Sequence, residues 1–148
     1  RALAEANPAR YLPDVAMSLN NLSVSLGELG RHDEALAAVE EALRHRRTLA
    51  EANPARYLPD VAMSLNNLSV RLGELGRHDE ALAAIEEAVH HRRTLASAHP
   101  ESFSPALARS LDNLADVLVA LGRREEAQKA REEAEQIARQ MFRRRDPS

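Results

Sequence analysis

Cysteine and tryptophan are absent from this chain of 148 residues, and its aromatic side chains number only four: Tyr11, Tyr57, Phe103 and Phe142. Without cysteine there can be no disulfide, no thiolate metal site and no thiol nucleophile. Lysine is nearly missing as well. Lys129 is the single one, against nineteen arginines, a bias that with the many alanines points to a high-GC, bacterial coding source. Neither charge sign dominates: 20 basic and 23 acidic residues leave a net charge of −3. No general affinity for nucleic acid or an anionic membrane is therefore expected. No apolar run approaches the roughly 18 residues of a membrane-spanning helix, and no signal-peptide pattern opens the sequence, so a cytoplasmic protein is expected. What is present, 44% hydrophobic and 29% charged residues, is a globular composition. A core made of alanine, leucine and valine favours close helix–helix packing.

Three of the four aromatics stand at 11, 57 and 103, two steps of 46. Pro8, Pro54 and Pro100 keep that step, as do Pro13, Pro59 and Pro105, and Gly30, Gly76 and Gly122. Residues 1–46 and 47–92 differ at five positions: Ala2/Thr48, Ser25/Arg71, Val39/Ile85, Leu43/Val89 and Arg44/His90. A third copy, 93–138, keeps about half of the residues, and 139–148 read as a tail that contains Arg143-Arg144-Arg145. A fixed period of this size is the mark of a repeat architecture.

Each unit reads as two helices. Pro13 followed by Asp14 suits a first turn, and in the third copy Ser104-Pro105 suits it better. Val15, Leu19, Leu22, Leu26 and Leu29 follow at helical spacing, and Gly30 is a stop signal. The second helix is expected from about Asp33, read as its N-cap, to about Glu51. It carries Ala35, Leu36, Ala38, Val39, Ala42 and Leu43 on one face. Between Pro54 and Pro59 a short connection leads into the next unit, and Tyr11, Tyr57 and Phe103 in these connections read as plugs over the seams.

A helix pair of this kind cannot bury both faces alone, whereas stacked copies share a continuous core. In the last helix the positions of Leu82, Ala83, Ile85 and Val89 become Gln128, Lys129, Arg131 and Glu135, as a terminal cap requires. Arg1-Ala2-Leu3-Ala4-Glu5 matches the tail of a second helix. The chain is therefore expected to be a fragment of a longer array with an apolar N-terminal stacking face.

The run from Leu19 to Leu36, with Leu22, Leu26, Gly30 and Glu34-Ala35-Leu36, closing with Ala42-Leu43, resembles a tetratricopeptide repeat. The unit is about 12 residues longer than the family's usual 34. Phrases such as Pro59-Asp60-Val61-Ala62 and Leu65-Asn66-Asn67-Leu68 are similar to the longer variety found in kinesin light chains and in bacterial tandem arrays. The resemblance implies an all-α fold, an α-solenoid of three helix-turn-helix repeats forming a right-handed superhelix. Its first helices would line a concave groove that binds peptides.

Carried over by position, the groove asparagines are Asn21, Asn67 and Asn113. Asn20, Asn66 and Asp112 stand beside them, Met17, Met63 and Arg109 one turn earlier, and Val24, Val70 and Asp116 one turn later. Asparagine both donates and accepts, so it suits an extended peptide backbone. The alternative is that these asparagines tie the first helices together or face solvent. The basic residues of a chaperone-type carboxylate clamp are not evident, with Val24 and Val70 at clamp positions, so acidic C-terminal tails are disfavoured.

Nothing supports catalysis. There is no phosphate loop, no metal-binding spacing and no serine in a nucleophile context, and exposed carboxylates are expected to titrate normally. No cofactor or metal is expected. His32 and His78 recur at the inter-helix turn, where the third copy has Arg124, which does not suit a metal ligand. The reading is a scaffold that binds a protein or peptide segment. The alternatives are a spacing element that self-associates through its N-terminal face and the sensor arm of a multidomain signalling ATPase.

Overall fold

A computed structural model describes residues 7–145; the N-terminal match at Arg1 to Glu5 lies outside them. Six helices follow one another: α1 Pro8–Glu28, α2 His32–Ala52, α3 Pro54–Glu74, α4 His78–Ala98, α5 Pro100–Ala120 and α6 Arg124–Arg145. There is no strand among the described residues. Each helix packs against its neighbours in sequence, which makes an all-α solenoid of three helix pairs. The stretch read as a tail from residue 139 continues α6 to Arg145.

The turn within each pair needs glycine. Gly30, Gly76 and Gly122 have φ of 76°, 73° and 77°, the left-handed region that costs a side chain about 1–2 kcal/mol. Two hydrogen bonds close each turn. The Gly30 N–H donates to the Gly27 carbonyl at 3.0 Å and the Arg31 N–H to the Leu26 carbonyl at 2.9 Å, which satisfies carbonyls the helix end would leave open. Asp33 falls inside the first turn of α2 and does not cap it. Arg31 holds the N-cap position without a side-chain cap bond, and its guanidinium pairs with Glu34.

The junction between pairs departs from the expectation. The helices start at Pro8, Pro54 and Pro100, so Pro13, Pro59 and Pro105 lie inside them, and Ser104-Pro105 is interior too. Pro54 at the first helical position gives up no bond, because that N–H has no intrahelical partner. Pro59 removes the donor that would have met the Ala55 carbonyl. Ala55 is exposed, so water can replace the lost bond. The gain lies on the other side of the same turn. Tyr57 is buried in a core with Leu43, Leu49, Ala50 and Val61, and Phe103 packs on the corresponding core with Val89, Ala96 and Leu107. These aromatics cover the seams as expected, from a helical turn and not from a connection.

The leucine stripe is buried unequally. In α3, Val61, Leu65 and Leu72 are buried. In α1 the counterparts Val15 and Leu19 are only half-buried, Leu26 is buried like Leu72, and Leu22 and Leu29 are 49% and 71% exposed. Successive first helices, α1 with α3 and α3 with α5, touch one another, whereas α2, α4 and α6 do not. The first helices are thus the inner layer of the stack. Across the outer layer only long side chains reach: Arg47 pairs with Glu87 at 2.8 Å, and Arg93 with Glu133. The first of these pairs corrects the expectation of unperturbed carboxylates, since the Arg47 guanidinium holds the Glu87 carboxyl below its usual range.

Gly76→Ala places a Cβ on left-handed backbone and should lower unfolding stability by about 1–2 kcal/mol in urea titrations. Stability unchanged within a few tenths would show that the turn does not require glycine.

Candidate functional site

A buried guanidinium organises the inner layer. Arg46, on the apolar face of α2, is 2% exposed. Its Nη1 donates to the Asp60 carbonyl at 3.2 Å and to Ser64 Oγ at 2.9 Å, and Nη2 lies 3.8 Å from Met17 Sδ. Ser64 Oγ donates to Asn20 Oδ1 at 3.3 Å, and Asn67 Nδ2 donates to the same oxygen at 3.2 Å. The relay Arg46–Ser64–Asn20–Asn67 joins three helices of two repeats.

It recurs one unit later with a 46-residue step. Arg92 Nη1 donates to the Ala106 carbonyl at 3.1 Å and to Ser110 Oγ at 2.7 Å. Ser110 Oγ donates to Asn66 Oδ1 at 3.1 Å, and Asn113 Nδ2 donates to it at 3.0 Å. Burial, with the nearby charge of Arg109, pushes the Arg92 guanidinium down to about 10. Burial is also the main cause of a lowered value at Arg46. Neither arginine has a carboxylate in ion-pair contact among the described residues. Within the first two repeats a second hydroxyl binds the pair together: Ser23 Oγ donates to the Ala35 carbonyl at 2.6 Å and Ser69 Oγ to the Ala81 carbonyl at 2.8 Å, and the third repeat has Ala115 there.

On the open side of the second relay lies a concavity of about 490 Å³. Nine of the eleven residues expected in a groove line it: Asn20, Val24, Met63, Asn66, Asn67, Val70, Arg109, Asp112 and Asn113. Asn21 and Met17 do not. Asn67 and Asn113 reach back to the first helix of the preceding repeat, and among the described residues Asn21 has no such helix to reach. It faces solvent, while Met17 rests on Arg46. The amide donors of Asn67 and Asn113 therefore serve the seam between repeats. Groups that remain for a ligand include the Asn113 Oδ1 acceptor and the Asn66 Nδ2 donor, which have no partner among the described residues.

Two lining residues were not anticipated, Arg71 and Arg92. With Arg109 they bring three arginines to the lining, of which Arg71 is paired with Glu74 and Arg92 is buried on Ser110. Arg92 had a legible signal. Val39, Leu43, Arg46 and Ala50 keep helical spacing, which puts an arginine on an apolar stripe, and Arg92 repeats it. Arg71 stands at one of the five differences between the first two copies.

Family comparison agrees with this architecture. A tetratricopeptide repeat model matches residues 15–54 and 61–101, together more than half of the chain, and a second tetratricopeptide repeat model matches 108–141. The chain belongs to the tetratricopeptide repeat family. Among solved structures, this tetratricopeptide protein is similar to the crystal structure of BtubC (BKLC) from P. vanneervenii, with 26% identity and a TM-score of 0.78. The match covers 95% of this chain and 53% of that one, so the chain spans about half the length of that protein. No curated protein matches it. Tetratricopeptide repeats generally mediate protein–protein interaction, and no helix of the described residues is long and apolar enough to cross a membrane.

The relay separates the asparagines by role. Asn66→Ala removes the acceptor for Ser110 and Asn113 and should cost about 1–3 kcal/mol, whereas Asn21→Ala should stay within about 0.5 kcal/mol. Chemical denaturation of the two variants checks this, and equal costs would dissolve the distinction.

Proposed function

We propose that the chain is a protein–protein interaction scaffold whose concavity holds an extended segment of a partner. The observation that carries this reading is the lining itself. Four asparagines, exposed Met63 and Val70, and the charges of Arg109 and Asp112 meet in one open depression between first helices. The Asn113 acceptor and Asn66 donor match the alternating N–H and C=O of an extended backbone, independently of the partner's sequence. Methionine and valine supply adaptable apolar contact around them. Arg109 has no hydrogen-bond or ion-pair partner among the described residues, so it is free to select charge.

The third repeat itself provides fold-compatible blocking substitutions, since it carries Arg109 and Asp116 where the second has Met63 and Val70. Peptides selected from a random displayed library on the wild type should lose roughly tenfold or more in affinity for Met63→Arg/Val70→Asp, about 1 kcal/mol per contact residue. Titration calorimetry reads this directly. Equal affinity for both proteins would remove the concavity from the account.

A second reading, self-association, is supported by the face of α1, where Asp14, Val15, Ser18, Leu19 and Leu22 surround a shallow depression. The counterparts Val61 and Leu65 in α3 are buried. The polar residues Gln128, Lys129, Arg131 and Glu135 make α6 a poor mate for it, so a second copy would pair α1 against α1. Light scattering over a concentration series should then show dimers that Leu19→Glu/Leu22→Glu abolishes; a monomer at all concentrations ends this reading.

A further inference from the structure

The two inter-repeat seams are near copies, and they differ where α3 and α5 face the preceding repeat. At the first seam the guanidinium of Arg71 points its Nη1 end at Gly27. A Cβ at Gly27 would stand 1.7 Å from Arg71 Nη1 and 2.8 Å from its Cζ. The guanidinium donates to the Ser23 carbonyl at 3.4 Å and pairs with Glu74 at 2.9 Å. A glycine makes this contact available, because without a side chain the helical carbonyl one turn back keeps a lone pair open to a second donor. At the second seam the glycine and serine persist as Gly73 and Ser69, but Arg71 and Glu74 have become Val117 and Ala120. Nothing stands within 4 Å of a Cβ built on Gly73. A cavity of about 370 Å³ occupies the place, walled by Val70, Val117 and Ala120, with Glu74 and Asp116 on its lining.

We propose that this cavity receives an arginine side chain of the bound segment, whose guanidinium lies over Gly73 as that of Arg71 lies over Gly27. The inference rests on the groove reading above, since the cavity adjoins the concavity through their shared residues Val70 and Asn113. The incoming stem packs on Val70, Val117 and Ala120, and one N–H meets the Ser69 carbonyl. His78 also lines the cavity, and the spare acceptor sites of the cavity's two carboxylates favour the same occupant. Glu74 already pairs with Arg71 and lies 2.9 Å from His32 Nδ1, and Asp116 pairs with Arg131, yet a carboxylate has about four acceptor sites. Lysine is a poorer fit, because a point charge cannot reach the Ser69 carbonyl and a neighbouring carboxylate through N–H groups fixed in one plane.

The probe is Nα-acetyl-arginine amide, titrated into the ¹⁵N-labelled chain, with the corresponding citrulline and lysine amides as comparators. Saturable shifts at Ser69, Gly73 and Val117 are expected, with citrulline about tenfold weaker or more. Gly73→Ala places a methyl group at the point where the guanidinium would approach the backbone, meets no neighbour and replaces a helical glycine, so its melting temperature should not fall while the shifts disappear. Val117→Arg/Ala120→Glu rebuilds the first seam in place and should also abolish them. No shifts in the wild type, an equal response to citrulline, or shifts that survive in both variants would overturn the proposal. Groove peptides that contain no arginine and bind Gly73→Ala unchanged would overturn it while the groove reading stands. Arginine-amide binding without any groove peptide would support the pocket and remove the groove.

Discussion

A guanidinium buried without a carboxylate is the constraint around which this stack is arranged. Taking Arg46 and Arg92 out of water costs several kcal/mol unless their donors are met, and the inner layer meets them with a carbonyl and a serine from the next repeat. Each serine then needs an acceptor, and the asparagine that provides it also accepts from the asparagine of the neighbouring first helix. The requirement passes from one repeat to the next. A leucine–alanine surface alone is smooth and tolerates sliding of one helix on another, whereas this relay closes only at one register. In α6 the counterpart of Arg92 is Ala138, so the demand stops where the described array stops.

Duplication makes the exceptions informative. Where the first two copies agree, the residues build seams and turns. Besides the polar face of α6, the differences that alter chemistry include several on the inner layer: Arg71 for Ser25, and Arg109, Asp112 and Asp116 for Met63, Asn66 and Val70. A scaffold of repeated parts thus acquires a distinct surface by changing a few side chains whose backbone positions the repeat already guarantees. The two seams differ for the same reason. Arg71 closes one, and its loss at Val117 leaves the other open.

The fold was largely legible because a 46-residue period, helical leucine spacing and three glycines at one step admit few architectures. The junction was not legible, for a physical reason. Pro13, Pro59 and Pro105 look like helix starts, since local chemistry ranks proline best in a first turn. The burial of Tyr57 and Phe103 extends each helix one turn further back, and local chemistry cannot weigh that tertiary gain. At the concavity, nine of the eleven residues named from sequence are among its lining. Sequence could not tell whether an asparagine on the inner face turns toward its neighbour or toward a ligand, because both uses need the same residue type. Arg46 on an apolar stripe was visible, but only the positions of Ser64 and Asp60 explain it.

The inner and outer layers are fastened differently, and this bears on how the solenoid can deform. Between first helices the links are short, buried hydrogen bonds that salt does not screen. Between second helices the links are the exposed ion pairs Arg47–Glu87 and Arg93–Glu133, which are weak in water and weaker at high ionic strength. A rod stitched stiffly along one side and loosely along the other bends about the stiff side. The neutral line of flexure therefore runs along the first helices, so bending opens or closes the gaps between second helices while the spacing between the first helices is conserved.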